Sequence, residues 1–229
     1  MSEPDPTLSV TQAVAQRRSV RAFSDRPVDL SLLRTLIERA ARAPSGGNLQ
    51  PWHIHVVSGG AMTRLKTLMA VRVAEAPMGE GADYAIYPTD LAERFNDRRR
   101  GVGAAMYEAL GIERGDRARR QAVFAENFQF FGAPVGLFCT VERGHGPPQW
   151  SDCGMYLQTL MLLLVEAGLD SCAQEAWALW PRTIGEFLGL PDSQMLFTGM
   201  AIGYRDGAAA VNNWPVPRAA TEEFATFHS

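Results

Sequence analysis

Apolar residues recur along this chain at two spacings, and the change from one to the other marks out its elements. A three- and four-residue repeat in "DLSLLRTLIERAARA" sets Leu33, Leu36, Ile37, Ala40 and Ala41 on one helical face, behind an Asp29 cap and ahead of a stop at Gly46-Gly47. From His53, "HIHVVS" alternates as a strand, and "MTRLKTLMAVRVAEA" returns to helical spacing through Leu65, Leu68, Met69 and Val73. A short helix over residues 9–18 precedes these elements. Pro, Gly and Tyr over residues 76–88 predict an irregular excursion, followed by helices at about 89–110 and 116–131, the second closed by Gly132 and Pro134.

"PVGLFCTV" predicts a buried strand, "GHGPPQW" a turn, and "SDCGMYLQTLMLLLVEAG" a long helix that is apolar nearly all round and therefore central. A short strand near 169–174, a helix opened by Pro181 and ended by Gly189, and the strand "LFTGMAIGY" complete the regular part; from Arg205 the tail is polar and irregular. About four strands separated by helices, with helix outweighing strand, predict an α+β fold with helices packed on a small sheet. A doubly wound dinucleotide fold requires a strand leading into G-x-G-x-x-G, which this sequence lacks.

Length and composition narrow this picture. At 229 residues and 46% apolar, with neither repeats nor a linker-like tract, the chain reads as a single domain over 1–229. A net charge of −3 with both signs dispersed argues against a nucleic-acid partner and against a basic membrane patch. "LMLLLVEAGL" is interrupted by Glu166 and falls short of the roughly 20 residues of a membrane span. Three widely spaced cysteines without C-x-x-C suggest neither a disulfide framework nor a zinc site, and "MSEPDPTLSV" has no secretory pattern, so a reducing cytoplasm is the expected location.

Candidate chemistry is sparse. In "QRRSVRAF", an extended chain from Arg18 would put Ser19 and Arg21 on one side and Val20 on the other, with Arg17 on the last helical turn, so that three cations and a hydroxyl can converge on a phosphate or a heterocycle's carbonyl edge. The same arginines also fit a helix C-terminus that merely favours cations. His53 and His55 share a strand face but lack a third ligand at metal-site spacing, and no nucleophile–base arrangement is present. Arg98, Arg99 and Arg100 read as a solvated helix face or as the border of an anionic pocket. "QEAWALWP" sets Glu175, Trp177 and Trp180 just past a strand end, where either a ligand site or core anchoring would suit them.

Taken in order, "RRSVRAF", "APSGGNLQPWHIHVV", "GLDSCAQEAW" after a long apolar helix, and the tail arginine of "PVPRAATEEF" resemble the FMN-dependent nitroreductases over essentially the whole chain. The segments "YAIYPTDLAERFNDRRRGVGAAMYEALGI" and "NFQFFGAPVGLF" resemble the nitrobenzoate-reductase-type branch. The resemblance implies a small, mostly antiparallel sheet flanked by helices in an intertwined homodimer, with two FMN sites at the interface. It implies Arg17, Ser19 and Arg218 at the FMN phosphate with Arg18 beside them, Arg21 at the N1/O2 edge of the ring, and the backbone of Glu175 and Ala176 at N5. Pro44, Ser45 and Asn48 would come from the partner subunit.

The implied activity is ping-pong hydride transfer from NADH or NADPH through FMN to a nitroaromatic, carrying nitro through nitroso to hydroxylamine without a protein acid–base group. Quinones, activated alkenes or halophenols are alternative acceptors in the same fold, and a flavin-binding protein without turnover is an alternative of another kind. Many members carry glycine at the position of Ala176 and lysine at that of Arg21.

Overall fold

Strand "PVGLFCTV" is buried over nearly its whole length because both faces of the sheet are covered. The computed structural model describes residues 8–228. Its helices are α1 (Val10–Gln16), α2 (Leu30–Ala40), α3 (Gly59–Glu75), α4 (Glu93–Ala109), α5 (Arg117–Ala125), α6 (Pro147–Glu166) and α7 (Pro181–Leu188). The strands are β1 (His53–Ser58), β2 (Val135–Glu142), β3 (Asp170–Gln174) and β4 (Gln194–Gly203), joined in the order β1-β2-β4-β3 with every pairing antiparallel. The expected α+β architecture with a small antiparallel sheet is the one observed.

Alternation along the strands divides the core in two. On one face Leu137, Cys139, Val141, Met200 and Ile202 pack on α2 and α6 through Leu33, Leu36, Leu157, Leu160 and Leu164. On the other, Phe138, Cys172 and Ala201 pack on α3, on α7 and on an aromatic group built from Phe128, Phe130, Trp177 and Trp180. Ring centroids of Phe130 and Trp177 lie 4.6 Å apart, and Phe128 and Phe138 meet Trp177 edge-on at 5.4 and 5.0 Å. Trp177 and Trp180 are therefore core anchors, at 0% and 1% exposure.

Element ends depart from the periodicity where local chemistry overrides it. The Asp29 side chain caps α2 as expected, accepting from the Ser31 N–H at 2.8 Å. The helix nonetheless stops at Ala40, before the glycine pair, because Pro44 disfavours helical backbone at Ala43; Ala41 is exposed as a result. Helix α6 starts at Pro147, taking in much of "GHGPPQW", since proline is well placed in a first helical turn. The helix expected over 116–131 ends at Ala125 and gives way to 3-10 geometry over Glu126–Gly132, with Phe130 and Phe131 at φ of 51° and 53°. A continuous helix would place Phe130 opposite Phe128, whereas the break lets Phe128, Phe130 and Phe131 all be buried.

Gly199 of β4 lies under the Trp177 indole so closely that a Cβ there would collide with the ring. Replacing Gly199 by Ala is expected to lower stability by about 1–3 kcal/mol through overpacking, read as a lower urea midpoint with an unchanged m-value. An unchanged midpoint would show that this contact is not close-packed.

Candidate functional site

Past α1 the chain becomes extended, and its register is set by one apolar residue. Val20 is fully buried, and its N–H donates to the Ser171 carbonyl at 3.1 Å while Ser19 bridges Ser171 in parallel on the outer edge of β3. Ser19 and Arg21 thereby share the opposite side, as the alternation in "RRSVRAF" predicts. Next to them is the buried Cys172 thiol, which burial pushes up while Arg21, a hydrogen bond from Ser19 and Arg17 pull it back. Burial lowers the Arg17 pKa, and the nearby guanidinium of Arg218 lowers it further. Among the described residues, none of Arg17, Arg21 and Arg218 forms a salt bridge with a carboxylate.

Asn212 holds this arrangement together and has no sequence signature in a polar tail. It is 4% exposed; its side-chain oxygen accepts the Arg21 N–H at 2.8 Å, and its amide donates to the carbonyls of Ala22 at 2.8 Å and Asp206 at 2.9 Å. Its own carbonyl accepts from the Arg18 guanidinium at 3.1 Å, which directs Arg18 to the tail. The Arg218 guanidinium donates to the Val216 and Pro217 carbonyls at 3.1 and 3.0 Å.

Glu175 and Ala176 open a 3-10 segment, Glu175–Leu179, directly after β3. Buried Gln174 fixes that turn by donating to the Asn127 carbonyl at 2.8 Å and accepting from the Trp177 indole at 3.3 Å. Desolvation raises the Glu175 carboxyl above its ordinary value. The 76–92 excursion is pinned beside this turn. Glu80 accepts the Thr183 N–H at 2.8 Å and its hydroxyl at 3.0 Å at the start of α7, and Asp83 pairs with Arg143 at 3.1 Å. The Tyr84 hydroxyl donates to the Phe197 carbonyl, with its ring 5.4 Å from that of Trp150. Burial, then the Glu175 charge, moves both Tyr84 and Tyr87 upward.

The loop after α2 is built for display. Pro44 and Asn48 are exposed and Ser45 is half-buried, while Gly47, Asn48 and Gln50 take φ of 58°, 57° and 50°. The loop is anchored to α6: buried Asp152 accepts the Gly46 N–H at 3.2 Å, and Trp52 stacks on Tyr156 at 4.8 Å. It leads into β1, whereas Ser19 lies outside β3 at the opposite edge of the sheet. Strand spacing alone puts roughly 15–20 Å between the two. A single chain therefore unites Arg17, Ser19 and Arg21 around Cys172 with Arg218 in electrostatic reach of Arg17, sets Glu175 and Ala176 at the end of β3, and leaves Pro44, Ser45 and Asn48 apart.

The histidines and the arginine run have protein partners. His53 lies 3.5 Å from Glu142, His55 is 3.3 Å from the Thr140 hydroxyl, and burial, then His53, lowers the His55 pKa. Arg98 pairs with Glu223 at 2.8 Å and Arg100 with Glu93 at 2.7 Å.

Comparison with known proteins adds four likenesses. The Nitroreductase family model matches residues 14–204. The chain is 40% identical to the 4-nitrobenzoate reductase of Pseudomonas putida over 215 residues, covering 93% of each chain. It superposes with a TM-score of 0.94 on the FMN and NADPH-dependent nitroreductase NfnB from Sphigopyxis sp. strain HMH, at 51% identity over 97% of this chain and 100% of that one. The FMN-dependent nitroreductase NfnB from Mycobacterium smegmatis, in complex with NADPH, gives 0.90 at 34% identity over 96% and 100%.

Replacing Asn212 by Ala leaves the Arg21 N–H without its partner and takes one of two donors from the Ala22 and Asp206 carbonyls, so a loss of about 1–2 kcal/mol in unfolding free energy is expected, with faster hydrogen exchange at the Arg21 amide. Wild-type stability and Arg21 protection in that variant would remove Asn212 from its organising role.

Proposed function

This chain belongs to the nitroreductase family, and from that premise we propose that it is an FMN-dependent NAD(P)H oxidoreductase that reduces nitroaromatic compounds. The observation that carries the reading is that Arg17, beside Ser19 on the edge of β3, lies within electrostatic reach of Arg218 while neither arginine has a carboxylate partner among the described residues. Like charges held together favour an incoming anion, and a phosphomonoester with nearly two negative charges suits two arginines and the Ser19 hydroxyl. The donor set fits FMN.

In this reading Arg17, Ser19 and Arg218 hold the phosphate, and Arg18 secures the tail beside it. Arg21 places a permanent cation at the pyrimidine edge of the ring, where negative charge gathers on reduction. The turn at Glu175 and Ala176 supplies backbone at the reacting edge, its position fixed by Gln174. When bound, FMN supplies the chemistry, taking a hydride from NADH or NADPH and delivering it to the nitro group. The residues of this chain bind, orient and shield; no side chain is needed as general acid or base.

The site is completed in a homodimer in which Pro44, Ser45 and Asn48 of the partner subunit close over the ring. The separation of that loop from the arginines within one chain supports this, as do the exposed apolar side chains of Val10, Val14, Leu49 and Met155 on α1, α6 and the loop itself. The chain works as one FMN-binding unit. A cytoplasmic location accords with its three buried free thiols.

Purified protein should show flavin absorbance that bleaches with NADPH or NADH and recovers on adding a nitroaromatic. Colourless protein that cannot be reconstituted with FMN contradicts the reading. Arg21→Ala should weaken FMN binding by about 1.5–3 kcal/mol and slow flavin reduction. Unchanged FMN affinity and kinetics would exclude Arg21 from the site.

A further inference from the structure

Helix α4 carries four arginines, and three have local roles. Arg98 is neutralised by Glu223 at 2.8 Å, Arg100 by Glu93 at 2.7 Å and Asp97 at 3.5 Å, and Arg94 lies over the ring of its neighbour Phe95 at 4.7 Å. Arg99 differs. Its guanidinium carbon stands 4.9 Å over the Tyr87 ring, its hydrogen bond to the Asn96 side-chain oxygen is long at 3.4 Å, and it has no salt bridge among the described residues. Tyr87 is half exposed and lies within reach of the Glu175 charge, three residues on from Tyr84 in the Trp150 and Phe197 aromatic group. Tyr87 thus carries Arg99 over its ring and feels the Glu175 charge as well.

We propose that Arg99, braced on Tyr87, is a specificity residue that receives an anionic substituent, a carboxylate, on the aromatic acceptor. This rests on the reading that Glu175 and Ala176 border the reacting edge of FMN. A guanidinium stacked on an aromatic face keeps its N–H edge free for two parallel bonds to a carboxylate. The carboxylate of Glu175 at the inner end repels the acceptor's anionic end while Arg99 at the outer end attracts it. The two charges orient the acceptor with its nitro group inward. Because the arginines on either side are paired in the chain, Arg99 presents its positive charge without their competition.

The test compares the FMN-loaded wild type with Arg99→Ala and Arg99→Lys on 4-nitrobenzoate and on nitrobenzene, with flavin reduction by NADPH and by NADH followed separately. Arg99→Ala should lose about five- to tenfold in kcat/KM for 4-nitrobenzoate, mainly through KM, and about twofold or less for nitrobenzene. Arg99→Lys should recover part of the loss, and flavin reduction should be unaffected with either donor. Equal losses on both acceptors, or no loss, overturn the assignment. A loss confined to reduction by NADPH also overturns it, assigning Arg99 to the donor's phosphate. Wild-type protein that binds no FMN, or fails to turn over nitrobenzene, overturns the functional reading and this assignment with it.

Discussion

Two guanidiniums, Arg17 and Arg218, are held together from opposite ends of the chain, and the surrounding architecture makes their repulsion bearable. Like charges at close range separate unless the backbones that carry them are fixed. Three sets of bonds fix the segment that carries Arg17 and the start of the tail that leads to Arg218. Val20 and Ser19 dock residues 17–21 on the edge of β3, and Ala22 and Ser24 exchange backbone bonds with Tyr204 and Asp206. Buried Asp170, at the start of β3, holds Arg205 at 2.6 Å and accepts its backbone N–H at 3.1 Å. Asn212 then clamps both segments. The positive charge is thus organised before any anion arrives, so binding energy is not spent assembling the cradle.

The second constraint is topological. In the order β1-β2-β4-β3, the strand entered from the 44–50 loop lies at one edge and the strand flanked by the arginines at the other. No side chain spans that distance. The loop's left-handed residues, its anchorage to Asp152 and the Gln50 N–H donated to the Ser45 hydroxyl hold it in a defined shape that leaves Pro44 and Asn48 exposed. The two-fold homodimer proposed here uses the same separation twice, bringing the loop of each protomer to the arginine cluster of the other.

How much of this was legible in the sequence depended on the range of the forces involved. The four strands and the principal helices could be read because burial repeats within a few residues, and the Asp29 cap and Gly189 stop are local chemistry. Helix ends were misplaced where a following proline or an aromatic triplet competed with periodicity, at Ala40 and Ala125. In the site, Ser19 and Arg21 follow from alternation around Val20, but their convergence with Arg218 came only through family resemblance. Asn212 was out of reach because the residues it bonds lie 190 and 191 positions away. Asp152 and Gln174 are ordinary polar residues until the partners that bury them are seen, and Trp177 was resolved as core only by its aromatic surroundings.

The central claim is that each site takes its arginines from one protomer and its 44–48 loop from the other. Subunit exchange between an Arg21→Ala chain and an Asn48→Ala chain, each impaired alone, tests it most directly. In a mixed dimer of a shared-site enzyme, one site collects both lesions and the other none. Equal mixing with random exchange should therefore restore about a quarter of wild-type nitroaromatic turnover, given that half of the dimers are mixed. Turnover in the mixture no higher than the average of the two variants would contradict the account, since sites built within single chains gain nothing from exchange.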